Sequence, residues 1–137
     1  MARRLAAFAM AACVGSTSAA AHHAISAYYD NSKRATIEGV VTQFRFVSPH
    51  PIVMVDVAHG GGTQQWRLEM DNRSELAAIG ITAETLKSGD RVAVSGSLAR
   101  DRSHGLYVLT MTRPSDGFAY EQVGGRPRVV KKPALPD

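Results

Sequence analysis

Five short segments of the chain alternate apolar and polar residues with a period of two, the pattern of strands that bury one face. β-Branched and aromatic residues are frequent in these segments, and turn-forming residues separate them. The segments are Ala35–Val47, Ile52–Val57, Gln65–Met70, Arg91–Leu98 and Gly105–Thr112. The alternation therefore predicts five strands, with a glycine-rich hairpin loop between the second and the third.

A short helix is predicted between the third and fourth strands, because the period changes after Met70. Asn72 followed by Glu75 is typical of a capping box, and Gly80 is a typical helix stop. The helix between them would turn Leu76 and Ile79 inward. In the first strand, Gly39 predicts a bulge or a sharp bend.

The element order β-β-β-α-β-β predicts an all-β fold with one short helix: a five-stranded OB-like Greek-key barrel over residues 35–113. The alternative is an open five-stranded meander packed on the helix. Closure favours the barrel because it removes exposed sheet edges. The expected core consists of Val40, Phe44, Phe46, Val53, Val55, Trp66, Leu68, Val92, Val94, Leu109 and Met111.

The first 21 residues have the pattern of a cleaved secretory signal peptide. A pair of arginines precedes the apolar run Leu5–Val14, which is too short to span a bilayer of about 30 Å. Ala19–Ala21 matches the small-x-small cleavage pattern. Cleavage after Ala21 would make His22 the first residue of the mature protein, followed by an N-terminal arm over residues 22–34.

The cysteine content indicates in which cellular compartment the mature protein is expected. Cys13 is the single cysteine and would leave with the signal peptide, so the mature chain of about 116 residues would contain no disulfide. Small secreted domains of other organisms are often rich in disulfides. A secreted domain without a disulfide is therefore expected in a bacterial periplasm. Lipidation of Cys13, in place of its removal, is the alternative.

The charge distribution does not favour nucleic-acid binding. Residues 22–125 carry ten basic and eleven acidic side chains, a net charge of −1, whereas a folded nucleic-acid binder carries a basic patch. Residues 114–137 are interpreted as a C-terminal extension, disordered and basic from about residue 124, because proline and basic residues accumulate there without apolar periodicity. A later apolar stretch long enough for a transmembrane segment is not found.

Four stretches together resemble a family of small exported proteobacterial proteins that is catalogued as a domain of unknown function. They are "HHAISAYYD", "TIEGVVTQFRFVSPHP", "WRLEMDNRSELAAIGIT" and "TLKSGDRVAVSGSLAR", within about His22 to Thr112. Ser48 and Ser88 replace the asparagine and the proline that members of the family typically carry at these motif positions. The resemblance implies export and one compact β domain, and it implies no activity.

Histidines are the candidate metal ligands of the mature chain, because neutral imidazole is the commonest protein metal ligand. An N-terminal His22 would add its free amine to its ring nitrogen and chelate one ion. Nitrogen-rich tetragonal sites suit Cu(II), and the arrangement resembles, by analogy, the histidine brace of exported copper proteins. In an OB barrel the loops that contain His50 and His104 flank one binding face. We therefore predict a copper site formed from His22, His23, His50 and His104, whereas His59 is expected to be solvated.

A metal-free OB-type binding module for a periplasmic peptide, glycan or protein is the alternative function. Its ligand face would present Arg45, Gln65, Arg67 and Tyr107. An enzyme is not favoured, because the chain lacks the common catalytic motifs. Glu38 is a candidate buried acid for which no partner base can be named.

Overall fold

The computed structural model describes residues 25–131, a mostly β structure of seven strands with a short helix. Residues 25–28 form a helical turn that leads directly into the first strand. The elements in chain order are β1 (Tyr29–Arg45), β2 (Ile52–His59), β3 (Gly62–Glu69), α1 (Arg73–Ala78), β4 (Arg91–Ala99), β5 (Gly105–Arg113), β6 (Phe118–Val123) and β7 (Arg126–Lys131).

All seven strands belong to one sheet, in the order β3-β2-β1-β4-β5-β6-β7 with antiparallel neighbours. β3 also pairs in parallel with β5, where Arg67 lies opposite Gly105 and Glu69 lies opposite Tyr107. β3, at one end of the strand order, is thus also hydrogen-bonded to β5, which lies within the order.

The second to fifth predicted strands are confirmed as β2 to β5. The β2–β3 hairpin turns at Gly60 and Gly61, whose φ angles of 54° and 82° suit glycine best. The predicted helix is confirmed as well: the Asn72 side chain accepts a hydrogen bond from the Ser74 backbone N–H at 2.9 Å, and Leu76 is fully buried. Within residues 25–131, no helix is long and apolar enough to cross a membrane.

β1 begins at Tyr29, six residues before the predicted start at Ala35. Part of the predicted N-terminal arm therefore lies in the sheet, where Tyr29 pairs with Ala99 and Arg34 pairs with Ser97. The register shifts between Asp30 and Arg34, so this stretch is irregular. Because its residues are mostly polar, this stretch lacks the alternation of apolar and polar residues that predicts a strand.

The irregularity in the pairing of β1 with β2 lies between Val41 and Gln43, not at Gly39. Gly39 serves another purpose, because a Cβ there would collide with the Asp56 carbonyl oxygen and the Val55 side chain. A bulge changes which residues point inward. Val41, rather than the predicted Val40, is accordingly the fully buried residue of this part of β1.

The prediction of five strands is corrected by β6 and β7, which follow β5 as an antiparallel hairpin. β7 lies within the segment predicted to be disordered from about residue 124. Gly124 and Gly125 form the connecting turn with φ angles of 56° and 80°, as two-residue hairpin turns require. Pro127 and the basic residues are unusual in a central strand, but β7 is a sheet edge, where proline is tolerated and charge discourages edge pairing.

The main core combines residues of the strands with Leu76 of α1 and includes Tyr120 of β6, which is fully buried. Trp66, predicted as core, is half-buried and packs against this cluster, as do Phe44 and Phe46. The expected core residues that are buried are Val53, Val55, Leu68, Val92, Val94 and Met111. A second cluster joins Ile25, Tyr29 and Tyr107, with Leu109 packed against it.

Candidate functional site

His50 lies in the β1–β2 loop, between Pro49 and Pro51, and is half-buried. Its Nδ1 lies 3.0 Å from the carbonyl oxygen of Met70, directly after β3. A carbonyl oxygen can only accept, so Nδ1 carries the proton and Nε2 carries the free lone pair. Metal-binding histidines typically donate their second nitrogen in this way, which fixes the tautomer.

His104 occupies the loop between β4 and β5 and is exposed. Its ring centroid lies 5.3 Å from that of Trp66, and its backbone oxygen accepts from the Arg67 N–H at 2.9 Å. His50 contacts Met70, and His104 contacts Trp66. Met70 and Trp66 are four residues apart, which corresponds to about 13 Å along an extended chain. These contacts do not bring the two histidines side by side.

His22 and His23 lie outside the described residues, but the segment that follows them is fixed to the sheet. Ile25 is buried against Tyr29 and Tyr107. The Tyr28 carbonyl accepts from the Arg100 N–H at 2.8 Å, and the Arg100 side chain donates through Nε to the Ser26 carbonyl at 3.0 Å. These bonds hold the start of the described chain against the end of β4.

Asp71 is the centre of a buried polar network, with 4% of its surface exposed. Its carboxylate accepts from the Gln122 side-chain amide and from the Asn72 backbone N–H. Burial raises the pKa of Tyr107, and the Asp71 carboxylate to which its hydroxyl is bonded raises it further. Burial and the same carboxylate also raise the pKa of Tyr120. Both tyrosines therefore remain protonated donors, and the network links β5 and β6 to the residue that follows Met70.

A second polar group lies at the end of β3. The Tyr29 hydroxyl donates to Glu69 Oε2 at 2.8 Å, and Arg67 Nη1 lies 3.1 Å from the same oxygen. Burial raises the pKa of Tyr29, and the Glu69 carboxylate adds to the effect. This group lines a cleft of about 470 Å³ between the N-terminal helical turn and the β4–β5 loop.

Several residues singled out from the sequence have other surroundings than expected. Tyr107 is buried and cannot belong to an exposed ligand face, whereas Gln65, Arg67 and Arg45 are exposed. Glu38, a candidate buried acid, is exposed. His59 is exposed at the end of β2, as expected. Among residues 25–131, no three His, Cys, Asp or Glu side chains form a group that could hold a metal ion.

Three residues of these polar groups were not predicted as site residues from the sequence: Asp71, Gln122 and Tyr29. The alternation that marks β3 ends at Met70 and assigns no role to the next residue. Gln122 lay in the segment interpreted as an extension, and Tyr29 lay in the predicted arm. The available signal was the Gly124–Gly125 turn, which marks β6 and β7 and would have drawn Gln122 into the fold.

The fold and these buried polar groups define a small, mostly β protein with a short helix. The chain belongs to a family of unknown function, DUF6152, which it matches over residues 10–107. The matched range includes all five histidines and ends before β6. No curated protein matches the sequence.

Proposed function

We propose that this protein is an exported, periplasmic copper-binding protein that binds Cu(II) through its N-terminal histidine. After cleavage behind Ala21, the His22 amine and imidazole would chelate the ion, and His50 Nε2 would supply a further nitrogen. His23 and His104 are the next candidates. The observation that supports the proposal is the hydrogen bond from His50 Nδ1 to the Met70 carbonyl, which leaves the Nε2 lone pair free for a metal ion.

The fixed position of Ile25 supports this ligand set. His22 is three residues away, so its backbone reaches at most about 10 Å from Ile25. A chain of described contacts leads from Ile25 to Tyr107, then to Asp71, and through the neighbouring Met70 carbonyl to His50. This chain of contacts is the structural support for testing His22 and His50 as ligands of one ion.

We also propose that the pairings form an OB-like barrel. The circuit runs from β3 through β2, β1, β4 and β5 and returns to β3, with α1 between β3 and β4. This order agrees with a five-stranded Greek-key barrel. β6 and β7 would then be a hairpin added to β5.

Copper titration of three forms of the protein, with His22→Ala and His59→Ala as reference variants, tests the metal site. These are the protein that begins at His22, the same protein with one extra methionine before His22, and His50→Ala. The extension should weaken Cu(II) binding as strongly as His22→Ala does, because it removes the free amine. His50→Ala should weaken binding by about tenfold or more, and His59→Ala should leave it unchanged. Protons compete for imidazole, whose ordinary pKa is about 6.5, so affinity should fall as the pH is lowered through that value.

Equal affinity of the native and the Met-extended protein would overturn the N-terminal site. Affinity lost on extension but kept in His50→Ala would remove His50 from it. If no form binds copper, the metal-free OB-type binding module becomes the better account.

A further inference from the structure

A second cleft adjoins the one at Tyr29 and Glu69. It has a volume of about 450 Å³ and lies on the other side of Arg100 and Ser103, which line both clefts. We call the two clefts together the arginine groove. Its cationic side chains are Lys33, Arg67, Arg100 and Arg102, and Trp66 and His104 line its far end.

The acidic side chains of the arginine groove already have partners. Asp30 accepts from Ser32 and lies near Lys33 and Arg100, at 3.7 Å from each. Glu69 accepts from Tyr29 and Arg67. The Asp101 carboxylate accepts from the Ser103 backbone N–H at 2.9 Å. The acceptors of the groove are thus engaged within the protein.

Several donors of the groove, in contrast, are available to a ligand. Among the described residues Arg102 has no ion-pair partner, and the side-chain hydrogen bonds of Arg67 engage Nη1 alone. The Trp66 indole Nε1 has no acceptor in the part of the chain that the structure describes, but this atom is buried and is not counted among the accessible donors. An excess of donors predicts a ligand rich in acceptors and negative charge.

The backbone of the groove excludes one mode of recognition. β3 is paired with β2 on one side and with β5 on the other at Arg67–Glu69, so an extended peptide cannot add there as a strand. Small residues, Ala27, Ala99 and Gly105, leave space between the side chains. Tyr28, with 70% of its surface exposed, offers an aromatic face at the edge of the groove, on which a sugar ring can pack.

We propose that the arginine groove binds an acidic oligosaccharide. Its carboxylates lie against Arg100 and Arg102, and a sugar ring packs on the exposed face of Tyr28. The proposal does not rest on copper binding, because the groove uses none of the proposed copper ligands except the secondary candidate His104.

Calorimetric titration with tetragalacturonate, with a metal chelator present, tests the groove. Maltotetraose is the neutral control, and amide-capped tetraglutamate carries the same number of carboxylates without sugar rings. Only tetragalacturonate should bind measurably, its affinity should fall with added salt, and the fluorescence of Trp66, the single tryptophan, should change on saturation.

Two variants, each with a matched control, locate the ligand without disturbing the core. Arg102→Gln alters an exposed loop residue and should weaken binding by about tenfold. Arg91→Gln removes the same charge from an exposed position outside the groove and should have no effect. Ala27→Phe should abolish binding by filling the groove, whereas Ala83→Phe at another exposed position should not.

Three results would overturn the proposal: no binding of tetragalacturonate, equal binding of tetraglutamate, or equal affinities of Arg102→Gln and Arg91→Gln. Copper affinity measured on the same variants keeps the two proposals separate. Loss of sugar binding with copper binding intact would concern the arginine groove alone.

Discussion

At the scale of single residues, two glycines allow strands to approach each other closely. A Cβ at Gly39 would collide with the Asp56 carbonyl oxygen, and a Cβ at Gly96 would collide with the Tyr107 carbonyl oxygen. These contacts are between backbones, so a flexible side chain cannot relieve them. The sequence marked Gly39 as special but could not give the reason, because the neighbouring strand and its register were not known.

Gly96→Ala should therefore lower the free energy of unfolding by about 1–3 kcal/mol, the cost of overpacking a tightly packed position. Gly62→Ala is the matched control, because its Cβ would have the His59 carbonyl at 3.8 Å as its nearest neighbour. That control should change stability by less than about 0.5 kcal/mol. Urea unfolding of both variants measures the difference, and equal stabilities would contradict the close approach of β4 and β5.

Arg113 is the second residue whose role follows from its contacts. It donates to Asp116 and Asp90 at 2.7 and 2.6 Å and to the Thr85 carbonyl. The hydrogen bond from Arg113 is the main reason that the pKa of Asp116 falls from 3.8 to about 2. Because this pKa is lower in the folded state, the ion pair stabilises the protein above about pH 4 and loses its effect as pH falls through 2.

An NMR titration of the Asp116 carboxyl carbon should accordingly give a pKa of about 2 in the native protein. In Arg113→Gln the pKa should rise towards 3.8, the ordinary value. Arg91→Gln removes the same charge from an exposed site and should leave the Asp116 pKa unchanged. A native pKa near 3.8 would show that the contact does not form in solution.

At the scale of elements, the sequence predicted β2 to β5 and α1 because each carries its own local signal. Alternation marks the strands, two glycines mark the β2–β3 turn, and Asn72 and Gly80 mark the ends of α1. The first half of β1 lacks a comparable signal. The β6–β7 hairpin has a glycine turn, but its polar faces and Pro127 resemble those of loops and outweighed that turn. Tertiary pairing with β4 and β5 defines them instead.

Truncation tests the different roles of β6 and β7. A chain that ends at Val123 retains Tyr120 and Gln122, which fill the core and bind Asp71, and should fold with reduced stability. A chain that ends at Asp116 loses both and should not fold cooperatively, because it opens the core and leaves Asp71 without its amide partner. Thermal unfolding followed by circular dichroism distinguishes them, and a cooperative transition in the shorter chain would contradict the role of β6.

At the scale of the whole molecule, distant parts of the chain meet on one side. Ile25 and Gln122 line a common cleft of about 530 Å³ together with Tyr107. His50 binds the backbone carbonyl of Met70, the residue before Asp71, and the Asp71 carboxylate binds Gln122. The candidate ligands could be named from the sequence because histidine is a recognisable residue type. Their arrangement could not, because it depends on contacts such as that between His50 and Met70.

The start of the mature chain is the first prediction at this scale. N-terminal sequencing of the exported protein should give His22, because Ala19–Ala21 matches the cleavage pattern. A mutant in which Ala21 is replaced by a bulky residue should be processed poorly and serves as the control. A lipidated start at Cys13 would contradict the prediction and would also remove the free His22 amine from the proposed site.

Elemental analysis of the protein, purified from its native compartment with its N-terminus intact, tests the central claim most directly. We predict about one copper per chain and no comparable amount of zinc or iron, because a site built from an amine and imidazoles suits Cu(II). The same analysis of the Met-extended protein should give much less copper. Protein that begins at His22 and carries no copper, or the same amount of copper as the extended form, would contradict the account.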